Sequence, residues 1–414
     1  MKRHPLRIVL LVAIIVLTLF NLTPCLQPFD TPFYRLAGDN LWHGDIDCLR
    51  TPVYPLLLKI CFLPWGEKGL HILVTLLQSA MFLISAWAFY DLLRRLVKRE
   101  SIVFWCALYY AAIPAAGWAN EMLTESLSIS LMVILTREIV CLLQKPDWKR
   151  AMGIGLLLTL MVFLRPNFIA FFAILPLAWG WQWTKTRERQ YALALALMVI
   201  PIGSYGAYCK AYQAKYGIFA SSISTCCCDI YNLQWGGGWD PGCVSNPKGK
   251  ALCEGLENHP DKSYAPIYEV IEHTHQADLL KEACKEMERT HRKEYVTQKM
   301  KMLSSSMGDG IMPAVNTHTA LSSVLFFTSK LIAMPVSLVY LISIMGCFIF
   351  VGFIFRKKHV PIIATLLLLI LVTQVVGNTY VASDSLERLF TLLVPILLLL
   401  IGMGSDKIIS YIRK

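Results

Sequence analysis

Residues 70–93, LHILVTLLQSAMFLISAWAFYDLL, carry one formal charge, Asp91, and are followed at once by Arg94, Arg95, Lys98 and Arg99. A hydrocarbon core is crossed by a helix of roughly 20 apolar residues. The stretch therefore predicts a membrane-spanning helix, and its basic flank predicts a cytoplasmic end. Comparable apolar runs occupy residues 8–22, 102–116, 123–143, 152–164, 168–183, 192–208, 337–355, 360–376 and 389–403. Basic clusters fall at alternate ends of these runs: Lys2, Arg3 and Arg7; Lys145, Lys149 and Arg150; Lys185, Arg187 and Arg189; Arg356, Lys357 and Lys358. The pattern predicts an all-α polytopic membrane protein of about ten transmembrane helices with both termini cytoplasmic. No small-x-small cleavage site follows the first run, which reads as an uncleaved helix. Residues 321–335, interrupted by Lys330 and Pro335, read either as a further span or as an interfacial helix.

Composition agrees. The 414-residue chain is 56% hydrophobic and 16% charged, whereas soluble domains carry roughly a quarter charged residues. The net charge of +11 raises the question of a polyanion, but the long polar insert at 209–320 holds 12 Lys and Arg against 13 Asp and Glu. The basic excess therefore lies in short connectors, as topology determinants do, and nucleic acid is excluded as a partner. Three modules follow: an N-terminal membrane module (1–208), an extracytoplasmic, mainly helical insert (209–320) and a C-terminal membrane module (321–414). The lipid bilayer concerned reads as a bacterial inner membrane, with the insert on its periplasmic face.

Of 13 cysteines, nine (Cys25, Cys48, Cys209, Cys226, Cys227, Cys228, Cys243, Cys253 and Cys284) fall on this outer side. An oxidising compartment predicts disulfides there, with connectivity open. Adjacent Cys226, Cys227 and Cys228 cannot all face one ion, and no C-x-x-C pair follows, which argues against a metal centre. The glycines of GGGWDPG, from Gly236, read as a tight turn because no helix start with Lys-Ser/Thr follows. His273, His275 and His291 read as solvated helix residues.

The first outer loop, FDTPFYRLAGDNLWHGDIDCLRTPVYP at 29–55, is the most informative polar stretch. It holds Asp30, Asp39, Asp45 and Asp47, and carboxylates beside hydrocarbon are costly unless a cation or a proton-transfer step requires them. Thr31 and Pro32 read as an N-cap and first turn. Phe33, Leu36, Ala37 and Leu41 recur at helical spacing up to Gly44. This predicts a short helix lying in the headgroup plane, with Asp30 at its start and Arg50 beyond its end. By the alternation of spans, Glu121, Glu125, Arg165 and Arg388 emerge on the same side. Arg137 and Glu138 fall towards the opposite end and read as a structural pair. Guanidinium groups clamp phosphate, and a carboxylate at the water boundary takes a proton from a hydroxyl, so the constellation suits a lipid-phosphate substrate.

Several segments carry a family resemblance: Asp30 just after the first span, the spacing Tyr34, Ala37, Leu41, Gly44, the RTPVYP run from Arg50 to Pro55, LTES from Leu123, LRP from Leu164, and ERLFTLLVP ending at Pro395. In these the chain resembles the C-type superfamily of integral-membrane glycosyltransferases, which contains protein O-mannosyltransferases and lipid A aminoarabinose transferases. The likeness covers the N-terminal two-fifths well and the last span moderately. It implies transfer of a sugar from a polyprenyl-phosphate-linked donor to a hydroxyl of a glycan, lipid or protein acceptor, with inversion. On that reading Asp30 is the general base, Arg50, Arg165 and Arg388 contact the lipid phosphate, and Glu125, Tyr34 and Tyr54 belong to the substrate site. The superfamily sometimes uses a divalent metal ion, for which His43, Asp45 and Asp47 are the candidate ligands. The insert matches no domain of the family, so the acceptor is not implied. The competing readings are an outer-face oligosaccharide polymerase or ligase and a lipid-linked-substrate transporter or flippase.

Overall fold

The computed structural model describes residues 4–22, 30–112, 114–259, 264–309, 362–381 and 391–412, with isolated positions between 320 and 331. Its described elements are helical. The chain begins with α1 (His4–Asn21), α2 (Thr31–Trp42), α3 (Val53–Phe62), α4 (Gly66–Leu96), α5 (Glu100–Ala112) and a 3-10 turn at Pro114–Asn120. There follow α6 (Glu125–Gln144), α7 (Trp148–Leu164), a second 3-10 turn (Pro166–Ala170), α8 (Phe171–Thr186), α9 (Arg189–Leu197) and α10 (Val199–Tyr216). The insert contributes α11 (Ser224–Gly236), α12 (Pro247–Asn258), α13 (Tyr264–Thr274), α14 (Ala277–Thr290) and α15 (Arg292–Asp309). The described C-terminal helices are α16 (Ile362–Val381) and α17 (Val394–Ile412).

Among the described residues, five helical segments are long and apolar enough to cross a membrane: His4–Asn21, Gly66–Leu96, Glu100–Asn120, Glu125–Gln144 and Arg189–Tyr216. Their exposed positions are themselves apolar (Leu11 and Ile15 on α1, Ile72 and Leu76 on α4, Val199 on α10), as a lipid-facing surface requires. The expected spans at 152–164 and 168–183 are helices too, but α7 has 17 residues and α8 has 16. The expected span at 337–355 and its basic flank lie outside the described residues, as does nearly all of 321–335.

Helix α6 is the centre of this layer. Fourteen of its 20 residues are buried, and it packs against α4 and α7. At one end of the layer, Asp91 pairs with Arg95 and Arg137, and Glu138 pairs with Arg137 and Arg150. The structural pairing expected of Arg137 and Glu138 is thus present. Asp406 of α17 accepts the Lys98 N–H at 3.2 Å and lies 3.4 Å from Arg99, so the last helix ends beside the α4–α5 turn. This places the end of α17 on the side that carries the basic turn.

The insert forms a second core. Tyr212, Tyr216, Ile223, Cys227, Ile230, Leu233, Ile267, Ile271, Leu280 and Met287 are buried together, and with them Cys48 and Leu49 of the first loop. Helix α10 continues eight residues past Tyr208, carrying Tyr212 and Tyr216 into this second core, and Gly217, at φ +80°, ends it. The described cysteines are all thiols. Cys226 and Cys284 bring their sulfurs to 4.0 Å, beyond the bonded length of about 2.05 Å.

Helix α2 starts and stops where the sequence predicts, with one change at its start. Asp30 rather than Thr31 holds the N-cap position, and it makes no side-chain cap bond. Thr31 is fully buried and donates to the Met122 carbonyl instead. Gly44, at φ +84°, closes the other end. The buried face is Thr31, Tyr34, Ala37 and Gly38, while Leu36 and Trp42 are exposed. The exposed Leu36 agrees with a stripe turned to the headgroup plane, while the protein-facing stripe is a different one on which α2 packs against α3 through small residues. A Cβ on Gly38 would stand 2.6 Å from the Pro55 carbonyl oxygen, a backbone atom that cannot step aside. Overpacking of this kind costs roughly 1–3 kcal/mol. Gly38→Ala is expected to lower the thermal unfolding midpoint of the detergent-purified protein by several degrees, whereas Gly153→Ala, which meets nothing within 4 Å, is expected to leave it unchanged or raise it slightly.

Candidate functional site

The segment from Asp45 to Thr51 is held from every side. Asp47, with no exposed surface, accepts the backbone N–H groups of Leu49 at 2.9 Å and Arg50 at 2.7 Å on Oδ1. Its Oδ2 accepts from Asn40 at 3.3 Å and from the Tyr268 hydroxyl at 3.4 Å. The insert closes over the neighbouring residues. The Cys48 N–H donates to Glu272, while the Cys48 carbonyl accepts from the Tyr212 hydroxyl and the Ile223 N–H. Lys215 donates to the Ile46 carbonyl and pairs with Asp45 at 2.8 Å and Glu272 at 3.6 Å. Tyr268 and Glu272 stand one helical turn apart on α13, which is why one face of that helix can reach two points of the loop.

This anchoring sets the position of Arg50. Its Nη2 lies 2.6 Å from Asp30 Oδ1, and its guanidinium carbon sits 4.4 Å from the centroid of the Tyr34 ring. Both side chains of the pair are 15% exposed, so the carboxylate is oriented and still reachable. Tyr34 is braced edge-on by Tyr54 at 5.1 Å between centroids. Tyr54 has no exposed surface and donates to Gln78, which in turn donates to the Ala119 and Glu121 carbonyls. Tyr54 thus supports the site as packing beneath Tyr34.

A second pair lies alongside. Pro166 forces the preceding residue out of helical geometry, and Arg165 accordingly ends α7 in an extended conformation, φ −153° and ψ 114°. Its Nη2 is 3.0 Å from Oε1 of Glu125, which is 1% exposed in the first turn of α6. A carboxylate is favoured at that end of a helix. Nη1 of Arg165 is buried and has no acceptor among the described residues. The two pairs are neighbours through their flanking residues. Thr31, next to Asp30, bonds the Met122 carbonyl, and Thr51, next to Arg50, donates at 3.4 Å to the carbonyl of Leu164, next to Arg165. Asp30, Arg50, Glu125, Arg165 and Tyr34 are therefore gathered at one end of the membrane layer. Arg388 lies outside the described residues.

The expected metal ligands of the first loop do not converge. His43 Nδ1 contacts the Asp39 carbonyl at 2.8 Å, Asp45 is paired with Lys215, and Asp47 is consumed by backbone and side-chain donors. Among the described residues, the group of three His, Cys, Asp or Glu with ligand atoms within 4.8 Å of one another is Asp240, Cys243 and His291. Sequence reasoning also missed Asn40, Lys215, Tyr268 and Glu272, which shape the loop. The available signal was the amphipathic pattern of α13: with Ile267 and Ile271 inward, Tyr268 and Glu272 share the adjoining face.

No protein-family model matches the chain, and no match was found among the curated proteins.

Burial raises the pKa of Asp47 from the ordinary 3.8 to about 6, outweighing the two backbone N–H bonds that favour the charged form. Between these values the folded chain binds the proton and the unfolded chain does not. This group's contribution to stability therefore falls as the pH rises from about 4 to about 6 and is constant above. The difference corresponds to roughly 3 kcal/mol. In thermal unfolding from pH 4.5 to 7.5, the wild type is expected to lose stability relative to Asp47→Asn as the pH rises. Parallel profiles would show that Asp47 does not titrate in this window.

Proposed function

We propose that the chain is an integral-membrane glycosyltransferase that moves a sugar from a polyprenyl-phosphate donor to an acceptor hydroxyl, on the outer face that the first loop occupies. The observation that carries this reading is the placing of two largely buried carboxylate–guanidinium pairs, Asp30–Arg50 and Glu125–Arg165, at one end of an apolar helical layer. Buried charges are expensive even when paired. Two such pairs on different helix ends, one with an unfilled donor, are better explained by a charged substrate than by scaffolding.

The chemistry has two requirements. The acceptor oxygen must lose its proton as it bonds to the anomeric carbon, and Asp30 is the carboxylate that takes it. As the bond from that carbon to the phosphate oxygen breaks, negative charge grows on the departing lipid phosphate. Arg165, through its buried and unfilled Nη1, and Arg388 answer that charge. Fixed cations in a partly dry site stabilise it well because they need no reorganisation. Arg50 is then chiefly the residue that positions Asp30, held in turn by stacking on Tyr34 and by the Asp47-capped backbone. Glu125 orients Arg165. The reading needs no first-loop metal, and the separate partners of His43, Asp45 and Asp47 favour a site without one.

General-base catalysis contributes roughly 10²- to 10⁴-fold. With a polyprenyl-phosphate sugar in proteoliposomes, Asp30→Asn is expected to reduce turnover at least a hundredfold at unchanged abundance and unfolding temperature. Arg50→Lys is expected to retain part of the activity, since charge remains but stacking and fork geometry are lost. Full turnover by Asp30→Asn would overturn the assignment. Movement of the donor lipid across the bilayer without any new glycosidic bond would point to a transporter.

A further inference from the structure

We propose that Asp240, Cys243 and His291 form a binding site for one divalent cation of borderline softness, of the Zn²⁺ class, which clips the WDPGC loop to the junction of α14 and α15. The three side chains come from two separate elements and bring a carboxylate oxygen, a sulfur and an imidazole nitrogen within 4.8 Å of one another.

The backbone around them is set for this arrangement. Asp240 caps the 3-10 turn Pro241–Cys243, and its Oδ1 accepts the Gly242 N–H at 2.9 Å. That bond fixes the carboxylate and leaves Oδ2 to face His291 Nε2 at 3.3 Å. His291 closes α14, its N–H donating to the Met287 carbonyl at 2.8 Å. The Asp240 N–H in turn lies 3.3 Å from the Met287 sulfur, which ties the loop to the helix below. Gly238 permits the close approach, since a Cβ there would come within 3.0 Å of the His291 Cβ.

The distances suit a tetrahedral ion. With bonds of about 2.0–2.2 Å to nitrogen and oxygen and about 2.3 Å to sulfur, ligand atoms stand roughly 3.3–3.7 Å apart. The oxygen–nitrogen edge already has this length. The Cys243 sulfur, whose thiol now donates to the Asp240 carbonyl at 3.1 Å, reaches its place by a rotamer change. The donor set decides the metal class: thiolate with imidazole favours zinc-like ions, whereas calcium and magnesium prefer all-oxygen shells. Three protein ligands leave one position for water or for a group presented by another molecule. A bare Asp–His hydrogen bond accounts for the 3.3 Å contact alone. The half-exposed thiol of Cys243, held by the Asp240 carbonyl, brings a third and softer ligand atom to the same point.

The test uses the full chain in detergent, freed of metal with a chelator and kept reduced. Zn²⁺ is titrated in competition with a chromophoric chelator, and Co²⁺ is added in parallel to read thiolate-to-metal absorption. The expected result is one ion per chain, with the cobalt sulfur band present and proton release on binding. Cys243→Ser is expected to abolish the sulfur band and weaken Zn²⁺ binding at least tenfold at an unchanged unfolding temperature. His273→Ala, an exposed histidine of the same insert, is expected to bind as the wild type does. Absence of saturable binding, or binding that persists unchanged in both Cys243→Ser and His291→Ala, would overturn the site. Because Cys243→Ser is nearly isosteric, it decides the matter even if His291→Ala folds poorly.

Discussion

The carboxylate of Asp47, buried and accepting two consecutive backbone N–H groups, is the contact on which the first loop depends. It turns the chain after Cys48 so that Leu49 enters the core of the insert while Arg50 leaves it towards Asp30 and Tyr34. A loop of this length left in water would pay conformational entropy for each ordered residue. Here that cost is offset by apolar burial of Cys48 and Leu49, by donors from Tyr212 of α10 and Ile223 before α11, and by Glu272 of α13 as acceptor. The membrane layer and the insert thereby meet at this short segment, and the position of the Asp30–Arg50 pair depends on both.

The same segment explains why the two ion pairs can coexist at one end of the layer. A buried ion pair gains stability only when its geometry is good and its remaining polar atoms are met. Thr31 and Thr51, each beside a charged residue, bond the carbonyls of Met122 and Leu164. They thereby fix the spacing between α2, α6 and α7 without adding charge. Tyr34, Tyr54 and Gln78 continue the support into α4 and the 3-10 turn after α5. Rigid support of this kind is what a proton-accepting carboxylate needs, because small misplacements of a reacting group are costly.

Part of this was legible in the sequence. Pro32 and Gly44 bound α2 because each restricts or releases backbone angles by itself. Pro166 likewise makes Arg165 the end of α7, and Thr124 with Glu125 marks the start of α6. The buried face of α2 was less legible. Leu36 reads from the sequence as part of the headgroup-facing stripe and is exposed, but the protein-facing stripe of Thr31, Tyr34, Ala37 and Gly38 has no strong apolar signal, because α3 approaches through Gly38 and Pro55. The partners of Asp45 and Asp47 were illegible, since Lys215, Tyr268 and Glu272 lie more than 160 positions away and carry no local signal of their destination.

The sequence by itself determined the helical class, the apolar helices long enough to cross a membrane, and the polar character of the stretch between them. Each of these follows from a property summed along the chain: the cost of placing a residue in hydrocarbon. Only the tertiary structure decided that Asp30 is paired with Arg50 and Glu125 with Arg165, that Asp47 is a structural hub, and that Asp240, Cys243 and His291 meet. Pairing of charges depends on which helix ends come within a few ångströms of one another, and that is set by packing between distant segments.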